Sequence, residues 1–120
     1  MPVARVEARF EPSALKANKR NEATLLLTLS STDSSKIYWC ECDIVVNPPL
    51  SLAHDKELEL GRTRIGILRP GKRIEKQVKI YSKPAVAMDN YPVNVTAYLY
   101  DEDGAIAERV ESKQEIKCEE

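Results

Sequence analysis

Apolar and polar residues alternate along this chain in short runs that recur about every ten to fifteen residues, the pattern of half-buried strands rather than helices. Val6, Ala8 and Phe10 alternate with Glu7 and Arg9 in a first strand that stops near Pro12. Leu25, Leu27 and Leu29 alternate with Thr24, Leu26 and Thr28, and the polar run Ser30-Ser31-Thr32-Asp33-Ser34-Ser35 ends that strand. A third strand is expected over 37–46, closed by Asn47-Pro48-Pro49. The middle is weaker: Leu58 and Leu60 suggest a short strand and 64–68 another, with Gly61 and Gly66 as punctuation. Pro70-Gly71 is a turn signal. Beyond it Ile74, Val78 and Ile80 mark a strand that ends before Pro84. Val93, Val95, Ala97 and Leu99 then alternate with Asn94, Thr96, Tyr98 and Tyr100. Asp101-Glu102-Asp103-Gly104 makes a hairpin turn into a last strand over 105–118. No segment carries a convincing helical period; 84–90 offers at most a single turn.

Seven to eight short strands separated by turns predict an all-β fold, an immunoglobulin-like two-sheet antiparallel sandwich. A small closed barrel is the structural alternative. At 120 residues the chain fits a single domain, 1–120, long enough to bury a core without covalent staples.

Composition narrows the function classes. The chain is 42% hydrophobic and 31% charged with a formal net charge of −1. That balance removes any global argument for nucleic acid or an anionic membrane as partner. The first residues, Met1-Pro2-Val3-Ala4-Arg5-Val6-Glu7, hold no apolar leader, and stretches such as Leu25-Leu26-Leu27 are far too short to span a bilayer. Cys40, Cys42 and Cys118 form an odd set that does not read as a disulfide framework. A cytoplasmic protein with reduced thiols is expected, unless the chain is a fragment of a secreted one.

Three local patterns carry a resemblance. Leu68-Arg69-Pro70-Gly71-Lys72, with Gly61 upstream, resembles the turn that precedes the fifth strand of immunoglobulin-like modules of the fibronectin type III and CARDB kind. Asp89-Asn90-Tyr91-Pro92-Val93 resembles the opening of their sixth strand, where a tyrosine sits at the sandwich corner. Tyr98-Leu99-Tyr100-Asp101-Glu102-Asp103-Gly104 resembles the turn into their last strand. These motifs are turn chemistry, so the resemblance implies a fold and, more distantly, binding or spacing roles. The cysteines do not match the paired inter-sheet cysteines of antibody domains.

Candidate chemistry is thin. Cys40 and Cys42, two apart on a strand, share a face with Tyr38, Ile44 and Val46 and read as core thiols. A metal or redox protein built on them is the alternative, but only Cys118 and His54 remain as further soft ligands. His54 is the single histidine, in a polar run with Asp55 beside it in sequence, and reads as a loop residue. Asp101 to Asp103 lacks the spacing of a calcium loop and reads as a hairpin tip. No catalytic residue, metal ligand or cofactor site is assigned.

Two surfaces remain. If Tyr38, Cys40, Cys42 and Ile44 face the core, Trp39 and Glu41 face outward; if Val93, Val95, Ala97 and Leu99 face inward, Tyr98 and Tyr100 face outward on a neighbouring strand. Tryptophan and tyrosine anchor interfaces, so Trp39, Glu41, Tyr98 and Tyr100 are the candidate contacts for a protein partner or a homodimer. Separately, 62–83 holds eight basic residues against a single acid, Glu75. Arg62, Arg64, Arg69, Lys72, Arg73 and Lys79 are its candidate surface, either as guards against strand-edge aggregation or for an acidic ligand. Stacking aromatics are missing from that segment apart from Tyr81, which argues against nucleic acid. The leading expectation is a non-catalytic binding or structural module that engages a protein, or its own copy, through an exposed sheet face or edge.

Overall fold

Where every second residue is apolar, a strand buries one face and wets the other, and two such sheets must close on each other to hide what they bury. A computed structural model, describing residues 4–32 and 35–120, has this arrangement. Its strands are β1 (Ala4–Glu11), β2 (Ala14–Lys16), β3 (Glu22–Ser31), β4 (Tyr38–Val46), β5 (Leu50–Ser51), β6 (Leu60–Leu68), β7 (Arg73–Ser82), β8 (Asp89–Tyr100) and β9 (Ile106–Glu119). A four-stranded sheet runs β1-β3-β7-β5 and a five-stranded sheet runs β2-β9-β8-β4-β6. Of the polar loop expected after the second strand, Asp33 and Ser34 lie outside the described residues, as do residues 1–3 of the leader reading.

The inner faces follow the alternation closely. Ala23, Leu25, Leu27 and Leu29 of β3 are buried against Tyr38, Cys40, Cys42, Ile44 and Val46 of β4 and Val93, Val95, Ala97 and Leu99 of β8. Each fully buried leucine or isoleucine contributes roughly 1.5–3 kcal/mol relative to an exposed one. Among the described residues no buried side-chain nitrogen or oxygen lacks a hydrogen-bond partner.

The described strands number nine against the seven to eight expected, and the difference has local causes. The short β2 and β5 have no period to read. β2 also departs from the antiparallel rule, pairing parallel to β9 with Ala14 opposite Lys117. The weak middle is one strand, β6, where two were expected, and Leu58 lies outside it. The glycines that looked like breaks sit inside the strand. A Cβ on Gly61 would stand 2.9 Å from Leu52 Cδ1, so any other residue there would oblige the Leu52 side chain to move aside. Gly66, at φ 135°, lies at the bulge where the β4–β6 register slips beside Cys40 and Glu41.

The turns match their sequence signals. Tyr91 donates its hydroxyl hydrogen to the Ala87 carbonyl at 2.6 Å, the corner bond expected of that tyrosine. In the β8–β9 hairpin, Asp101 Oδ1 accepts from the backbone N–H groups of Asp103 at 2.9 Å and Ala105 at 3.0 Å, with Gly104 at φ 79°. Among the described residues no helix is long and apolar enough to cross a membrane.

Candidate protein-contact face

The register of the five-stranded sheet sorts its outward side chains into rows. β4 lies between β6 and β8, and β9 lies beyond β8. Trp39 stands opposite Ile67 on one side and Tyr100 on the other, and Tyr100 stands opposite Ile106. Four apolar or aromatic side chains therefore form one row across four strands, close enough for neighbours to touch. Trp39 keeps 38% of its surface exposed, Ile67 46% and Ile106 58%.

The next rows are charged. Arg64, Glu41, Tyr98 and Arg109 face one another across the sheet, followed by Arg62, Asp43, Thr96 and Glu111. Arg62 Nε and Nη2 donate to Asp43 Oδ1 and Oδ2 at 2.7 and 3.0 Å, a two-pronged bond, while the same guanidinium lies 5.3 Å from the Tyr98 ring centre. Arg64 lies 5.9 Å from the centre of the Trp39 ring. Trp39 Nε1 donates to Glu41 Oε1 at 3.4 Å. The Arg62 hydrogen bond holds the Asp43 carboxyl below the usual carboxylate range, and Asp43 in turn raises Arg62. The Tyr98 ring is thus backed by a guanidinium that Asp43 holds in place, which lowers the ordering cost of a contact made through it.

All four contact candidates share this face; β4 and β8 pair as neighbours and bring Trp39 to Tyr100 and Glu41 to Tyr98. Ile67 and Ile106, which complete the apolar row, were missed by sequence reasoning. Their exposure follows from strand parity, but the row exists only once the register is known.

The basic segment is divided by the fold. Arg62 and Arg64 lie on the outer face of the five-stranded sheet, whereas Arg73 and Lys79 lie on the outer face of the other sheet. Arg69 and Lys72 occupy the turn between them, where the Lys72 N–H donates to the Arg69 carbonyl at 3.1 Å. Arg62 pairs with Asp43 and Lys79 with Glu22, so the six do not form one patch.

Cys40 and Cys42 are fully buried on the inner side of β4, and burial pushes their thiols up to about 12 and about 11. Cys118 is buried on β9, two strands away from β4. Among the described residues no group of three His, Cys, Asp or Glu side chains is placed to hold a metal ion. His54 lies with its ring centre 5.8 Å from that of Tyr81, in an open cleft of about 210 Å³ that Arg20, Lys56 and Lys83 also line. That volume falls below the several hundred cubic ångströms usual for small-molecule sites.

No protein-family model matches the chain, and no curated protein matches it. Solved structures do. The major pilin subunit of Bacillus cereus superposes at a TM-score of 0.65 with 10% identity, over 96% of this chain and 40% of that one. The chain thus spans about two fifths of the pilin it matches. A FixG-related protein from Vibrio parahaemolyticus superposes at 0.55 with 11% identity over 98% of both chains. A CARDB domain from Pyrococcus furiosus is similar at 0.49 with 12% identity over 97% of this chain and 85% of that one. At such identities the first two likenesses establish the fold, an immunoglobulin-like sandwich, and nothing finer.

Proposed function

We propose that this domain is a non-catalytic protein-binding module whose contact surface is the outer face of the five-stranded sheet, centred on Trp39. The observation that carries the reading is the row Ile67–Trp39–Tyr100–Ile106 on adjacent strands, in which three large apolar side chains are exposed and the half-buried Tyr100 joins them. Burying such a row in a partner is favourable, and contiguous exposed apolar groups of this kind mark contact sites. The charged rows beside it fit the polar rim of an interface, with the Arg62–Asp43 pair already formed before a partner arrives. Three free, buried thiols fit a reducing compartment such as the cytoplasm.

A photo-crosslinking amino acid placed at Tyr100 in one variant and at Gln77, on the opposite outer face, in another tests this in native lysate. Adducts are expected from position 100, absent from position 77, and lost when Trp39→Ala is added. Equal adducts from both positions, or adducts indifferent to Trp39→Ala, would remove the reading. The Trp39 emission supplies the second readout: partner binding should shift it blue and shield it from iodide.

A further inference from the structure

The flank of the sandwich formed by β1 carries a different signal. β1 is the terminal strand of its sheet: β3 pairs with it from Ala4 opposite Ser31 to Glu11 opposite Thr24, and among the described residues no strand lies on its other side. The inward residues Val6, Ala8 and Phe10 are only partly buried, whereas Leu25, Leu27 and Leu29 on β3 are fully covered. The core therefore runs out half-covered at this edge. The outward residues are Arg5, Glu7, Arg9 and Glu11, all exposed, and they alternate in sign. Facing them on β3 stand Ser30, Thr28, Leu26 and Thr24, which offer no countercharge. Among the described residues none of the four makes an ion pair.

An alternating strand of this kind is its own complement when reversed. If β1 is laid antiparallel to a second β1 with Ala8 opposite Ala8, Arg5 meets Glu11 of the copy and Glu7 meets Arg9. By symmetry all four charges find opposite partners at directly facing positions, where pairing is favourable and like charge is not. On the inner side Val6 meets Phe10 and extends the core across the junction. The edges of β6 and β7 lack this property. β6 carries Arg62 and Arg64 and no acid, so its copy would set cation against cation. β7 carries Arg73, Lys76 and Lys79 against Glu75 alone. On the same flank as β1, β9, which β2 borders only at 117–119, alternates Arg109, Glu111, Lys113 and Glu115 along its outer side. That alternation is also self-complementary, but Arg109 is already paired with Glu111, whereas the four charges of β1 are unpaired among the described residues.

We propose that two copies of this chain associate by antiparallel pairing of β1 with β1 about a two-fold axis at Ala8, joining their four-stranded sheets into one continuous sheet. This surface is separate from the Trp39 face and does not depend on it.

Sedimentation velocity over a concentration series tests the pairing with a charge-swap set. The wild-type chain should dimerise. Glu7→Arg and Arg9→Glu should each weaken the dimer by about tenfold or more, since the symmetry sets two like-charge contacts in each. The two single variants mixed in equal amounts should recover a heterodimer, and the double variant Glu7→Arg/Arg9→Glu should recover the homodimer. Trp39→Ala should leave this dimer intact. A wild-type chain that stays monomeric up to about 1 mM overturns the proposal. So do single variants that dimerise like wild type, a mixture that does not recover, or a dimer that Trp39→Ala abolishes. Melting curves of every variant confirm folding, which exposed positions should leave unchanged.

Discussion

The two outer faces of the sandwich are built by the same alternation and yet differ in kind. On the four-stranded sheet the rows across the strands read Arg5–Ser30–Arg73, Glu7–Thr28–Glu75, Arg9–Leu26–Gln77 and Glu11–Thr24–Lys79. Each holds charge, and Leu26 is the one apolar side chain. An open hollow of about 380 Å³ over this face is lined by Glu7, Arg9, Thr28, Arg73 and Glu75 together with Ala8 and Leu26, so charged and polar side chains predominate there. On the five-stranded sheet one row is aliphatic and aromatic throughout and holds no charge, and charges beside it are tied to one another or laid over the aromatic rings. A solvated face scatters its charges and keeps its large side chains inside; a contact face gathers large side chains outside and fixes its charges around them. Burial alone does not separate the two, because both sheets bury a largely apolar inner face. The distinction lies in which residues parity sends outward.

The sharpest way to break the comparison is a matched pair of substitutions. Trp39→Ala should weaken partner binding by about thirtyfold or more, the loss expected when an anchoring tryptophan at the centre of a contact is removed. Leu26→Ala, the apolar residue of the opposite face, should leave binding unchanged. Titration calorimetry with a partner captured through position 100 measures both. Equal losses would erase the distinction between the faces.

The next effect concerns the two sides of one strand. Cys40 and Cys42 are the inward neighbours of Trp39 and Glu41, and burial keeps their thiols protonated at neutral pH. Cys40→Ala with Cys42→Ala should cost about 1–3 kcal/mol of stability in total and leave the partner affinity as it was. Trp39→Ala should do the reverse. A thiol reagent should label both cysteines slowly in native buffer and quickly in denaturant. Fast native labelling would mean that the inner face of β4 is open and the sidedness argument fails. A smaller effect belongs to Arg64: with its guanidinium beside the indole, Arg64→Gln should weaken binding about threefold, the scale of an exposed cation–π contact. No change in a calorimetric titration would leave the cation without a part in shaping the face.

Much of this was readable before the fold was known. Alternation assigned the inner and outer sides of β3, β4 and β8 residue by residue, and turn chemistry located Gly71, Gly104 and Tyr91. The rest needed pairing register, which one sequence does not carry. Gly61 and Gly66 looked like breaks because a glycine that admits Leu52, or one that forms a bulge, leaves the same mark as a turn. The basic run 62–83 reads as one surface along the sequence, but neighbours in sequence are not neighbours in space here, because the chain crosses between sheets at Pro70-Gly71. The Ile67–Trp39–Tyr100–Ile106 row joins four strands and has no linear signature.

The smallest effect tests whether the charged row beside the aromatic one is fixed, as the comparison requires. The hydrogen bonds from Arg62 are the largest influence on the Asp43 carboxyl; burial opposes them, and the Arg62 charge and a hydrogen bond from Tyr98 add to them, so the carboxyl is held low. The folded chain therefore binds the Asp43 proton less readily than the unfolded chain. The stabilisation that follows is complete above the unfolded carboxylate value, about 4, and is lost as pH falls through the lower folded value. Thermal melts of wild type and Asp43→Asn should differ by a constant amount from neutral pH down to about pH 5, and the gap should close in stronger acid. Because Arg62 is largely exposed, raising the salt should narrow the gap at neutral pH as well. A gap that is the same in acid and at neutrality would mean the asparagine change acts through packing alone. Asp43 would then not hold Arg62 over Tyr98 through charge, and the outer face of the five-stranded sheet would have no more electrostatic order than the face opposite.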